Sequence, residues 1–276
     1  MSKSLESVFS PHKFIPSIIS NNMDFESIWN TKPSFVFSSM AHIAYFSEIK
    51  TKRFMSQLGA DKVIFYDING AQAFLSIWNN KAILAFRGTQ PIEDKGKHHH
   101  KLGFFRKFRI KHFLHLPLDP LSLIYLNNDI LADLKFVPTS FDNIKTVNVH
   151  TGFLQELDKL WLKIVNDISQ HLKDIPIWVT GHSLGGAMAT LAGMRHNFEE
   201  VITFGEPRVG FHIEKAFKAK DHTRYVNGDD PVTKLPPELL FGYDHHGKVI
   251  HISDHDGETN IIYDHSIIYY SENLYG

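Results

Sequence analysis

The chain has 276 residues, eighteen histidines, no cysteine and a formal net charge of −1. Hydrophobic residues make up 43% and charged residues 21%, the balance of a globular chain and not of a disordered or collagen-like one. The lack of cysteine excludes a disulfide scaffold, a thiolate zinc site and a Cys–His nucleophile, and a near-neutral balance of charge argues against nucleic acid as a partner.

Residues 1–30 show no clear periodicity. The first twenty are interrupted by Glu6, His12, Lys13 and two prolines, so no run of signal-peptide length is expected there. No stretch of about 18 apolar residues occurs, so a spanning helix is not expected either. Localisation is then expected to be cytoplasmic, or export by a non-classical route, with the chain peripheral at membranes.

From Ser34 to Phe46 the apolar spacing suits a buried helix. Lys62–Ile68 reads as a strand. Gln72–Trp78 and Lys81–Phe86 flank Asn79-Asn80, a good hairpin turn, so the sheet is expected to open with antiparallel strands. Between about residues 91 and 128 the rhythm breaks into a basic, aromatic and leucine-rich segment. Beyond it we expect a strand at Lys145–His150, a helix at Gly152–Leu172 and a strand at Ile175–Thr180. A helix at Ala187–His196, a strand at Val201–Phe204, a helix at Ile213–Lys220 and a strand at Thr223–Val226 follow. An edge strand at Lys248–Ile252 and a last helix at Asp264–Asn273 complete the expected elements. Alternation of strand and helix from 145 to about 230 predicts parallel strands joined by crossover helices. The reading is one α/β domain over 1–276.

The sharpest local signal is Gly181-His182-Ser183-Leu184-Gly185-Gly186, placed after an expected strand and before an expected helix. That is the setting in which G-x-S-x-G forms a nucleophile elbow. A strand that turns abruptly into a helix brings neighbouring backbone close together, so positions 181 and 185 require glycine. Ser183 then stands exposed in a strained conformation, and the helix start offers free N–H groups to an oxyanion.

A serine hydroxyl needs a base to remove its proton and a carboxylate to orient that base. In this arrangement the chain order is Ser, then acid, then His. Asp229 and Asp230, in the turn that follows the strand at Thr223–Val226, are both placed to serve as the acid. The base candidates are His245, His246, His251, His255 and His265, and chemistry alone does not choose among them. A metal site from His251, His255, Asp254 and Asp256 is disfavoured by its turn-like context.

Five blocks together resemble the class 3 lipase family of α/β-hydrolases. They are Ala85-Phe86-Arg87-Gly88-Thr89, Val149-His150-Thr151-Gly152-Phe153, the GHSLGG block at 181–186, TFGEPRVG at 203–210 and DDPVTKLPP at 229–237. The resemblance spans about residues 35–270. It implies an α/β-hydrolase fold, with a mostly parallel central sheet, flanking helices and the antiparallel N-terminal hairpin. It implies Asp230 as the acid, from D-x-V-x-x-L-P-P, and His265 as the base, from an Asp-His context near the C-terminus followed by a tyrosine. Thr89 and Leu184 become the oxyanion-hole donors. The implied activity is hydrolysis of lipid carboxylic esters, triacylglycerol or another acylglycerol, through an acyl-enzyme and with no metal or cofactor. A phospholipase A or lysophospholipase is the nearest alternative, and an inactive lipid-binding or interaction protein is the alternative from another class.

Two departures from the family pattern stand out. Some 35 residues are inserted between Thr89 and Asn128, where the family has its lid, and Phe211 stands where asparagine often follows P-R-V-G. Within the insertion Lys101, Arg106, Lys107 and Arg109 interleave with Phe104, Phe105 and Phe108. Such a segment suits a membrane or lipid-droplet interface, with charge on lipid phosphates and rings among acyl chains. Sequence alone leaves the oligomeric state open.

Overall fold

The computed structural model describes residues 25–89, 137–238, 242–253 and 261–275. The basic aromatic segment at 91–128, with Lys101, Phe104, Phe105, Arg106, Lys107, Phe108 and Arg109, lies outside the described residues, and so do Asp254, His255 and Asp256.

Three helices come first: α1 (Phe25–Thr31), α2 (Pro33–Ile43) and α3 (Glu48–Gln57). Strands β1 (Lys62–Ile68), β2 (Ala71–Trp78) and β3 (Lys81–Phe86) follow as an antiparallel meander. Next come β4 (Pro138–Phe141), β5 (Ile144–His150) and the long helix α4 (Thr151–His171). Strand β6 (Ile177–His182) leads into α5 (Leu184–Arg195), and then β7 (Glu200–Phe204), β8 (Gly210–Phe211), β9 (His222–Val226) and β10 (Lys248–His251). Helices α6 (Ile261–His265) and α7 (Ile267–Tyr275) end the described chain.

The main sheet has seven strands in the order β1-β2-β3-β6-β7-β9-β10. From β3 to β10 every neighbouring pair is parallel. This is the mostly parallel α/β-hydrolase sheet with an antiparallel N-terminal hairpin. Period-2 alternation explains how it buries both faces. On β3, Ala82, Leu84 and Phe86 pack with residues of α4 and α5 such as Leu157, Ile164 and Leu191. The alternate residues Ile83 and Ala85 pack on the other face, with Phe35, Met40 and Tyr270 from α2 and α7. Each fully buried Leu, Ile or Phe contributes roughly 1.5–3 kcal/mol relative to exposure. No helix among the described residues is long and apolar enough to cross a membrane.

Three expectations change. Strand β5 is not part of the parallel sheet; it pairs antiparallel with β4 and with β8 in a second, three-stranded sheet. The cause is the two-residue turn Asp142-Asn143, in which both residues have positive φ (43° and 67°). Such a turn joins adjacent antiparallel strands. The helix expected at Ile213–Lys220 is a single 3-10 turn, Ile213–Lys215. The N–H groups of Lys218 and Ala219 donate to Gly193 O instead, and that of Lys220 to Phe198 O. The last helix divides at Ser266 into α6 and α7, which leaves His265 at the junction.

Candidate active site

Ser183 sits between β6 and α5 with φ 57° and ψ −128°. A non-glycine residue in that region costs of order 1–3 kcal/mol and persists only where its surroundings impose it. Close approach of the backbone imposes it here. A Cβ on Gly181 would collide with the Gly185 carbonyl, and one on Gly185 with the Phe86 carbonyl at the end of β3. The expected steric need for glycine at both positions is therefore present.

His265 Nε2 lies 3.0 Å from Ser183 Oγ, and its Nδ1 lies 3.0 and 2.9 Å from the two oxygens of Asp230. With Nδ1–H donating to the carboxylate, the neutral ring presents Nε2 as acceptor for the serine O–H. Asp230 is fully buried. Ser183, expected to stand exposed, is only 3% exposed because the segment after β3 and His265 cover it, so this chain of bonds is shielded from water. Asp230 also accepts the Tyr270 O–H at 2.6 Å on Oδ2 and the Val232 N–H at 2.9 Å on Oδ1. Burial and then the carboxylate hold the Tyr270 phenol well above its usual range, so it stays a donor.

The other candidates go elsewhere. Asp229 pairs with Lys234 at 3.3 Å. His246 Nδ1 lies 3.1 Å from His222 Nδ1, His245 Nε2–H donates to the Thr233 carbonyl, and His251 is exposed on β10 at the sheet edge. Among the described residues no His, Asp and Glu cluster has the grouping of a metal site.

Leu184 is the first residue of α5, and its N–H has no acceptor within the helix. The segment after β3 passes in front of the serine. A Cβ built at Gly88 would stand 3.3 Å from that of Ser183, and Thr89 is the next residue. Gly205, with φ +58°, closes the opposite side; a Cβ there would lie 2.7 Å from Asp230 Oδ2 and 3.1 Å from His265 Nδ1.

Sequence reasoning missed Tyr45 and Tyr270. The Tyr45 hydroxyl donates to His182 Nδ1 at 2.8 Å, and His182 Nε2–H donates to the His265 carbonyl at 2.8 Å. Burial, and then the neighbouring His265 ring, hold His182 well below the usual histidine range, so it remains neutral. Tyr269 and Tyr270 are adjacent in sequence, but one helical step of about 100° separates them. Only Tyr270 faces Asp230, while Tyr269 packs edge-on against Tyr263.

Residues 126–240 match the family model described as Lipase (class 3). The chain thus resembles the class 3 lipase family over less than half of its length. It is 35% identical over 144 residues to a lipase of Rhizomucor miehei, covering 47% of this chain and 39% of that one. It is 28% identical over 220 residues to phospholipase A(1) DAD1 of Arabidopsis thaliana, covering 75% of this chain and 41% of that one. The chain thus spans about two fifths of the length of these curated relatives. Among solved structures it resembles the Rhizomucor miehei triacylglyceride lipase with a TM-score of 0.58 at 20% identity. The match covers 84% of this chain and 82% of the other. At that identity the likeness concerns the fold, the mostly parallel α/β-hydrolase sheet described above.

Proposed function

We propose that the chain is a serine ester hydrolase that cleaves acylglycerols, with Ser183 as nucleophile, His265 as general base and Asp230 as the orienting acid. The observation that carries this reading is the unbroken line of hydrogen bonds from Ser183 Oγ through His265 to Asp230. His265 takes the serine proton as Oγ attacks the ester carbonyl. Asp230 supports the imidazolium that forms, and the Thr89 and Leu184 N–H groups hold the oxyanion. Removing one such donor costs roughly 3–4 kcal/mol of transition-state stabilisation. Collapse of the intermediate releases the alcohol, which carries away the proton from His265 and leaves an acyl-serine. Water, deprotonated by His265, then frees the fatty acid and restores the serine. Every proton transfer is accounted for by these residues and water.

In this reading 1–276 is one α/β-hydrolase domain, and the basic aromatic segment at 91–128 serves as an interfacial lid that meets the lipid surface. A phospholipase A activity is the second reading. The similarity to the Arabidopsis thaliana phospholipase A(1), which extends over three quarters of this chain, favours it.

A fluorophosphonate probe tests the chemistry. The native chain should be labelled, and Ser183→Ala should abolish labelling while the chain stays folded. Absence of labelling in folded native protein would refute the reading. Rates on emulsified triacylglycerol compared with phosphatidylcholine vesicles separate the two substrate classes.

A further inference from the structure

His245 touches neither Ser183 nor His265, yet it is bonded to the turn that carries the acid. The 3-10 turn Pro231–Lys234 follows Asp230 directly. His245 Nε2–H donates to the Thr233 carbonyl at 2.7 Å, and Thr233 Oγ1–H donates to the Asp230 carbonyl at 2.7 Å. The Val232 N–H closes the inner side of the turn on Asp230 Oδ1. Burial, followed by the nearby Arg224 guanidinium, lowers His245 to about 4, so near neutral pH the ring carries a single N–H. That N–H goes to the acid turn. The other nitrogen, Nδ1, is buried without a hydrogen-bond partner among the described residues.

A buried polar cluster centred on Glu206 lies within electrostatic reach of the ring. Glu206 accepts the hydroxyls of Thr190 and Thr203 at 2.6 Å each, and its Oε2 lies 3.3 Å from His222 Nε2. These contacts join α5, β7 and β9. Burial alone would raise the Glu206 carboxyl, but His222 and Arg224 outweigh it and hold the group below its usual range, ionised. Glu206 is adjacent to Gly205, which lies against both Asp230 and His265.

We propose that His245 is a positioning residue that fixes Asp230 against His265 by bracing the Pro231–Lys234 turn through Thr233. The inference rests on the reading of Asp230 as the catalytic acid. A brace of this kind acts on the reaction step and not on the binding of a small substrate.

The test measures kcat and KM on a soluble nitrophenyl butyrate, with the thermal midpoint of each variant. One hydrogen bond is worth about 1 kcal/mol, so His245→Leu should lower kcat by roughly five- to tenfold and leave KM within about twofold. His245→Gln presents a side-chain N–H to the same carbonyl and should recover most of the lost kcat. Thr233→Val keeps the shape, removes the Oγ1–H and should reproduce the kcat loss; it carries the test if His245→Leu does not fold. Equal kcat loss in the Leu and Gln variants would overturn the proposal, as would native kcat in folded His245→Leu or Thr233→Val. Asp230→Asn separates the two levels of the argument: native kcat in that variant would overturn the acid assignment itself.

Discussion

At the scale of single residues, the site depends on positions where no side chain fits. Gly205 has φ +58°, and a Cβ there would press on Asp230 Oδ2 at 2.7 Å and on His265 Nδ1 at 3.1 Å. An alanine at a positive φ costs more than about 1 kcal/mol before any clash is counted. The clash must then be relieved by moving the carboxylate or the imidazole. Gly205→Ala is therefore expected to cut kcat by about a hundredfold, the effect of a misplacement near 1 Å. The accompanying fall in the urea midpoint should stay modest. Native kcat in Gly205→Ala would show that the pair tolerates the displacement. The elbow glycines were legible in the sequence because steric demand is local. Tyr45 and Tyr270 were not, because their partners His182 and Asp230 lie 137 and 40 residues away.

At the scale of elements, the sequence showed where most strands and helices lie but not which strand each would pair with. Residues 144–150 read as a strand in the sequence and form one, yet they pair antiparallel in the second sheet. The deciding feature is the Asp142-Asn143 turn with two positive φ values. Glycine tolerates such a conformation better than asparagine, and a β-branched residue tolerates it poorly. Asn143→Gly should accordingly leave stability unchanged or raise it by up to about 0.5 kcal/mol, and Asn143→Val should lower it by more than about 1 kcal/mol. Denaturant unfolding of the two variants measures the difference; equal stabilities would argue against the turn as the determinant. The split of the last helix at Ser266 was likewise hidden. A helix-period pattern runs through the break, and only the bonds of His265 to Ser183, Asp230 and His182 show why the chain stops turning there.

At the scale of the whole molecule, several histidines are buried in neutral form. His42 and His150 are each lowered to about 4 by burial, from an ordinary value of 6.5. Between those values the unfolded chain binds more protons than the folded one, so stability rises with pH across that interval. The stability is fully present above about pH 6.5 and is lost progressively as pH falls through 4. At pH 5 each of these groups costs about 2 kcal/mol relative to pH 7. Urea unfolding at pH 7 and pH 5 should show a drop of several kcal/mol, and His42→Gln should remove about one group's share of it. An unchanged difference in that variant would mean that His42 does not titrate with folding.

Among the described residues, the histidines that composition left unassigned divide into the one bonded to Ser183 and Asp230, buried groups such as the neutral His42, His150 and His182, and half-buried or exposed side chains. The sequence by itself determined the strands and helices that alternate, the strand–turn–helix around Ser183 and the glycines that allow it. Those features follow from steric and hydrophobic demands acting over a few residues. The residues read alone left two aspartates and five histidines open, and the family resemblance pointed to Asp230 and His265. Only the tertiary structure supplies the physical reason, by bringing His265 within hydrogen-bond distance of both Asp230 and the serine. Asp229 and Asp230 share one turn, and the histidines share similar polar surroundings in sequence. The choice among them depends on the lateral order of β6, β7 and β9 and on the break before α7, which bring residues up to 82 positions apart to within 3.0 Å.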